Sequence, residues 1–143
     1  MATCAEVEVE KASGRIRVLK LCTAFECGAI HNPMNLKAQV DGCVVMGIGG
    51  ALRESIQFEK GRILNGRFAE YLVPRFNDLP ELDTVLLDRP DLPVAGAGET
   101  PIIAVAPAIA NAVFHATGTA PTKLPLVGLA PSAGWNRLDC IGA

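Results

Sequence analysis

One carboxylate, Glu99, stands at the end of the apolar run Val94-Ala95-Gly96-Ala97-Gly98, just ahead of a helix-forming stretch. Two kinds of chemistry suit a glutamate there. It can mark the start of the helix, where the partial positive charge of the free N–H groups favours the ionised form. It can also be a general base, held ready by that same field while an apolar setting pulls its pKa the other way. The residue types alone favour the helix-start reading. Gln39 presents a similar choice. Glutamine is a good surface helix former, but its neighbours are apolar and glycine-laden, so its amide is expected to have a partner. Cys22, Cys27, His31 and Cys43 invite comparison with a zinc site. Their spacings lack a Cys-x2-Cys knuckle, and Cys43 falls inside a helix. Free thiols and no bound metal are expected. His31 reads as a turn residue and His115 as a last-turn helix residue, and neither has a Ser or Cys partner at recognisable triad spacing. Gly96-Ala97-Gly98 lacks the third glycine of a dinucleotide fingerprint and the Lys-Ser/Thr of a phosphate loop.

The elements that must position these residues can be read from periodicity. Cys4 to Glu10 alternates strictly, as a half-buried strand does. A turn at Ala12-Ser13-Gly14 leads into a second run, Arg15 to Cys22, whose apolar phase slips between Val18 and Leu19 and so predicts a bulge or burial on both faces. Asn32-Pro33 is a strong helix start, with a capping side chain followed by a residue that lacks the N–H the first turn cannot use. From Leu36 to Leu52 apolar residues recur at helical spacing on nearly every side, which predicts a helix buried on most faces. It contains Gly42, Gly47, Gly49 and Gly50. Each mid-helix glycine costs up to about 1 kcal/mol relative to alanine, so close approach of a backbone or a ligand is expected. A hairpin over Gln57 to Leu64 and strands over Arg67–Val73 and Leu82–Leu87 follow. The second helix runs from about Pro101 to Thr117, closed by Gly118. Pro107 either kinks it or marks where its regular part begins. The fold class is α+β, a two-layer sandwich with a mixed sheet of short strands and two main helices. Residues 1–126 form the domain, and 127–143 a Pro/Gly/Ala-rich irregular tail that contains Trp135.

Two stretches carry a resemblance. One runs from Cys27-Gly28-Ala29-Ile30-His31-Asn32-Pro33 through Ala38-Gln39-Val40-Asp41-Gly42. The other runs from Gly96-Ala97-Gly98-Glu99-Thr100-Pro101 through Ala106-Pro107-Ala108-Ile109-Ala110-Asn111-Ala112. Together they resemble the last molybdenum-cofactor-binding segment of the xanthine dehydrogenase and aldehyde oxidase family, and most of all its bacterial branch of isoquinoline 1-oxidoreductase beta subunits. Members hydroxylate an electron-poor carbon of an N-heterocycle or aldehyde with oxygen from water, and electrons leave through iron–sulfur clusters on another subunit. The resemblance implies that Glu99 is the base, and that Gln39 contacts a molybdopterin cofactor, in its cytosine dinucleotide form. It further implies that Gly96, Ala97 and Gly98 run beside that cofactor. The sequence departs from many relatives in placing Thr100 between the glutamate and Pro101. Family large subunits are also several times longer. The implied partners are therefore the remainder of the large subunit, an iron–sulfur subunit and a small heterocyclic or aldehyde substrate. A rival reading is a truncated domain that catalyses nothing and binds a partner.

Bulk composition agrees with a covered piece. Half of the 143 residues are hydrophobic and a fifth are charged, with mean hydropathy +0.30. An isolated chain of this kind is expected to expose apolar surface or form a homo-oligomer, and to bind no cofactor by itself. A net charge of −2 gives no electrostatic case for nucleic acid. No window holds the roughly 20 unbroken apolar residues of a membrane span. Met1 to Lys11 has no leader pattern, so the cytoplasm is the default compartment, with the periplasm open to a complete family enzyme. Five cysteines, an odd number, do not make a complete disulfide framework.

Overall fold

The computed structural model describes residues 1–127. The alternation at the N-terminus becomes β1 (Ala2–Val9), with Glu6 and Glu8 outward and Val9 buried. It pairs antiparallel with β2 (Ile16–Glu26). The phase slip is a bulge: Glu6 pairs with Lys20 and Val7 with Val18, leaving Leu19 without a partner. β2 pairs in parallel with β5 (Glu81–Leu87), giving one mixed sheet of order β1-β2-β5. Helix α1 (Pro33–Leu52) packs against β5 and helix α2, and α2 (Val105–Thr117) lies across β1. The result is the two-layer α+β arrangement that the periodicities imply. Val18, Leu21 and Phe25 of β2, Val40, Val44 and Ile48 of α1, and Val105, Ile109 and Val113 of α2 form the core.

Asn32 caps α1, its Oδ1 accepting from the Asn35 N–H at 2.9 Å, and Pro33 occupies the first turn. The glycines of α1 fall into two groups. A Cβ at Gly47 would sit 2.6 Å from the Cβ of Val105, and one at Gly49 would meet Pro74 and the Glu54 carboxylate. At Gly42 and Gly50 a Cβ would meet nothing within 4 Å. Packing within the chain therefore accounts for the first two and not the second two. Gly47→Ala is expected to lower stability by ~1–2 kcal/mol, because overpacking outweighs the gain in helix propensity. Gly42→Ala and Gly50→Ala should raise it by ~0.5–1 kcal/mol each. Urea denaturation of the three variants measures the difference.

α1 is less covered than its apolar periphery predicts. Met34 and Met46 are 82% and 65% exposed, because sheet and α2 cover one side of the helix and no described element covers the other. The hairpin is present as β3 (Phe58–Glu59) and β4 (Arg62–Ile63), turning through Lys60 and Gly61, both at positive φ. The expected strand over 67–73 is not. There the Glu70 and Tyr71 N–H groups both donate to the Arg67 carbonyl, and the Glu70 carboxylate accepts from the Arg67 N–H. A local turn satisfies the backbone where, among the described residues, no neighbouring strand lies alongside. From Ile56 to Leu79 no side chain is buried, and Phe58, Phe68 and Phe76 stand exposed.

The second helical stretch begins with a single 3-10 turn, Thr100–Ile102, and only then becomes α2. Pro107 lies in the first turn of α2, so it marks the start and does not kink the helix. Gly118 closes α2 at φ 71. By length and composition Thr100–Thr117 is apolar enough for a membrane span, but Val105, Ala108, Ile109 and Val113 are buried within the domain. Past α2, Leu126 is buried and donates to the Ala51 carbonyl at 2.7 Å. The expected tail, with Trp135 and Cys140, lies outside the described residues apart from Val127.

Candidate functional site

β2 and β5 run in parallel to their last pair, Glu26 with Leu87, so the two chains leave the sheet side by side at their carboxyl ends. The loops that follow are laced together. The Ala95 N–H donates to the Cys27 carbonyl at 2.8 Å, Arg89 N–H to the Gly28 carbonyl at 3.2 Å, and Ile30 N–H to Asp88 Oδ1 at 3.0 Å. Gly28 permits this closeness. It has φ +79, and a Cβ there would lie 2.0 Å from the Pro93 carbonyl oxygen. Carboxyl ends of parallel strands are where α/β sheets gather ligand-binding loops, and here they bring residues 94–99 to α1.

Helical spacing places Gln39 and Cys43 on one face. Both reach the same atom: Gln39 Nε2 donates to the Gly98 carbonyl at 2.5 Å and the Cys43 thiol to it at 3.2 Å, with 3.7 Å between Nε2 and Sγ. Ala97 packs against the core. The structure thus assembles Gln39, Gly96, Ala97, Gly98 and Glu99 in one place. Cys43 was legible only as a core cysteine, although its position four residues after Gln39 was a signal of shared orientation. Burial pushes the Cys43 thiol pKa up, a hydrogen bond from Gln39 opposes this, and the nearby Glu99 charge raises it further. The thiol is therefore protonated near neutral pH and available as a donor.

The outer side of the loop is open. The N–H groups of Gly96, Ala97, Gly98 and Glu99 donate no hydrogen bond among the described residues. A Cβ at Gly96 or Gly98 would meet nothing within 4 Å. Glu99 occupies the cap position of the short 3-10 turn and not of α2, its side chain makes no capping bond, and its carbonyl accepts from Ile102 N–H at 3.0 Å. Among the described residues its carboxylate has no hydrogen-bond or ion-pair partner. The helix-start role that competes for Glu99 is thereby left without its usual contact.

Of the other thiols, Cys4 and Cys22 face each other across β1 and β2, and both are free. Cys22 Sγ on β2 lies 3.9 Å from Asp83 Oδ2, Cys27 is buried at the end of β2, and exposed His31 precedes the α1 cap. Among the described residues no three His, Cys, Asp or Glu side chains gather closely enough to hold a metal ion. A separate cleft, lined by Arg15, Arg17, Arg53, Leu52 and Leu79, takes in none of the site residues.

Residues 1–80 match the molybdopterin cofactor-binding domain. Over 125 residues the chain is 31% identical to a nicotinate dehydrogenase component of Pseudomonas putida, covering 87% of this chain and 10% of that protein. It is 29% identical over 126 residues to the beta subunit of isoquinoline 1-oxidoreductase of Brevundimonas diminuta, covering 88% of this chain and 16% of that one. Among solved structures, the aldehyde oxidoreductase of Desulfovibrio gigas superimposes with a TM-score of 0.77 at 30% identity, covering 88% of this chain and 14% of that one. The chain thus spans a small part of the length of each relative.

Proposed function

The chain belongs to the molybdopterin cofactor-binding domain family, and from that premise we propose that it supplies the glutamate base and one wall of the cofactor site in a molybdenum hydroxylase. The observation that carries this reading is the joining of Gln39 to the Gly98 carbonyl, which sets the open glycine loop and the unpaired Glu99 carboxylate side by side.

The residues present fit the group. Four successive peptide N–H groups, two glycines with open space beside them and an exposed Gln39 amide form a polar strip on which an acceptor-rich cofactor can lie close to the backbone. Gln39 Nε2 is engaged by the loop, so its Oε1 is the atom left for the cofactor. The N–H groups of Gly96 to Gly98 would flank the cofactor, in its cytosine dinucleotide form. When bound, the cofactor supplies the oxygen transfer and two-electron redox chemistry of the hydroxylation. Glu99 accepts the proton released from the attacking water-derived oxygen. An N-heterocycle or an aldehyde is the substrate class, by analogy with the activities that the relatives' names state.

The remaining walls come from the rest of the large subunit, and electrons pass to an iron–sulfur subunit. The uncovered side of α1 and the exposed Phe58, Phe68 and Phe76 are surfaces suited to such partners. The 143-residue chain alone should therefore associate with itself in sedimentation velocity. A compact monomer would argue for an independent domain.

Metal analysis tests the main reading. The chain purified alone is expected to carry no molybdenum, and the chain assembled with the rest of the large subunit to carry it stoichiometrically. Gln39→Ala should lower that occupancy. Stoichiometric molybdenum in the isolated chain would overturn the assignment of a partial site. An assembly without molybdenum would favour a partner-binding module.

A further inference from the structure

The glycine loop is held at three points among the described residues. Ala95 N–H bonds to Cys27 at its start, Ile102 N–H bonds to the Glu99 carbonyl at its end, and between them the Gly98 carbonyl receives Gln39 and Cys43. Gly98 has wide backbone freedom. Without the middle contact the peptide joining it to Glu99 could rotate and carry the carboxylate with it.

We propose that Cys43 is a positioning residue for Glu99, its thiol clamping the Gly98 carbonyl and so fixing the peptide from which the glutamate projects. The proposal rests on the reading of Glu99 as the base. The two clamping donors are not equivalent. Gln39 is exposed, so water competes for its amide. Cys43 is 5% exposed and its bond to Gly98 is part-buried, so water competes for it less. A hydrogen bond kept from water holds its geometry better than an exposed one. Burial and the Glu99 charge keep the thiol protonated, so the donor persists near neutral pH. Cysteine suits the place because it combines the volume of a small apolar side chain with a weak donor.

Cys43→Ala removes the donor and Cys43→Ser restores one. In the 143-residue chain, hydrogen exchange of the Ile102 amide reports whether the Glu99 peptide is held. It should quicken ~3–10-fold in Cys43→Ala and return to within about twofold of the parent in Cys43→Ser, the span that one modest hydrogen bond covers. The infrared S–H band lost in Cys43→Ala should lie at the frequency of a hydrogen-bonded thiol. In the assembled enzyme, Cys43→Ala should lower turnover ~3–10-fold with molybdenum content unchanged, and Cys43→Ser should restore it. If alanine abolishes folding, Cys43→Val removes the donor at similar volume and gives the same comparison. Unaltered Ile102 exchange and unaltered turnover in the donor-free variant would overturn the clamp. So would equal defects in alanine and serine variants. Full turnover in Glu99→Gln would instead overturn the base, leaving the exchange and infrared results to judge the clamp.

Discussion

In the assembled, cofactor-loaded enzyme, Glu99→Gln is expected to lower turnover by about 10²–10⁴, the range that general-base assistance supplies. The amide keeps the size of the carboxylate and cannot accept the proton. Little else should change. The Glu99 side chain makes no capping bond, so substitution at this exposed site should move stability by no more than ~0.5 kcal/mol. Molybdenum content should stay full, because the N–H groups proposed to flank the cofactor belong to the backbone. Loss of a group that acts in the chemical step appears in kcat, with substrate binding much less affected. Gln39→Ala separates the two roles. It removes a donor to Gly98 and the amide proposed to face the cofactor, so occupancy should fall before the chemistry does. Molybdenum content and turnover of both variants, measured side by side, decide between them. A Glu99→Gln enzyme with full metal and near-normal turnover would leave Glu99 as an ordinary loop carboxylate.

Signals that act over a few residues were legible in the sequence. The β1 alternation, the bulge at Leu19, the Asn32-Pro33 helix start, the Lys60-Gly61 turn and the Gly118 stop all depend on neighbours within one turn or one strand pair. The failures involve partners distant in sequence or missing altogether. Arg67–Val73 has the composition of a strand, but no strand among the described residues lies beside it, and a turn closes on Arg67 instead. The apolar far side of α1 reads as buried, yet the described chain brings nothing to cover it. The parallel pairing of β2 with β5 spans some 60 residues and follows from no local pattern, although it creates the site by delivering both loops to one end of the sheet.

The site was legible in a different way. Glu99, Gln39 and the glycine loop stood out through resemblance, while residue chemistry alone favoured an ordinary helix-start role for Glu99. What the motifs lacked was the junction between them. Gln39 and Cys43 are 59 and 55 residues from Gly98 in sequence, and only folding shows that both meet its carbonyl. The glycines divide in the same way. Those at 47 and 49 answer to contacts inside the chain, whereas 42, 50, 96 and 98 face open space. Absence of a side chain is equally visible in both groups, but only the fold separates internal packing from room left for something else.

Gly28→Ala should be the most damaging single substitution in the lacing that supports the site. A left-handed backbone costs a residue with a Cβ about 1–2 kcal/mol, and Gly28 sits at φ +79. The new Cβ would also lie 2.0 Å from the Pro93 carbonyl oxygen, closer than non-bonded atoms can approach. Pro93 cannot simply retreat, because the backbone beside it is tied by Ala95 to Cys27 and by Arg89 to Gly28. Overpacking of this kind adds ~1–3 kcal/mol, so a total loss of about 2–5 kcal/mol is expected. That is a large share of the 5–15 kcal/mol typical of a folded domain. Gly96→Ala and Gly98→Ala provide the contrast, since open space surrounds both positions. They should shift the stability of the isolated chain by no more than ~0.5 kcal/mol, yet lower molybdenum occupancy in the assembled enzyme if the cofactor lies where the loop is open. Urea denaturation of the three variants measures the first effect and metal analysis the second. A Gly28→Ala chain with an unchanged unfolding midpoint would show that the two loops are not laced as described. The site would then lose the contact that brings residues 94–99 to α1.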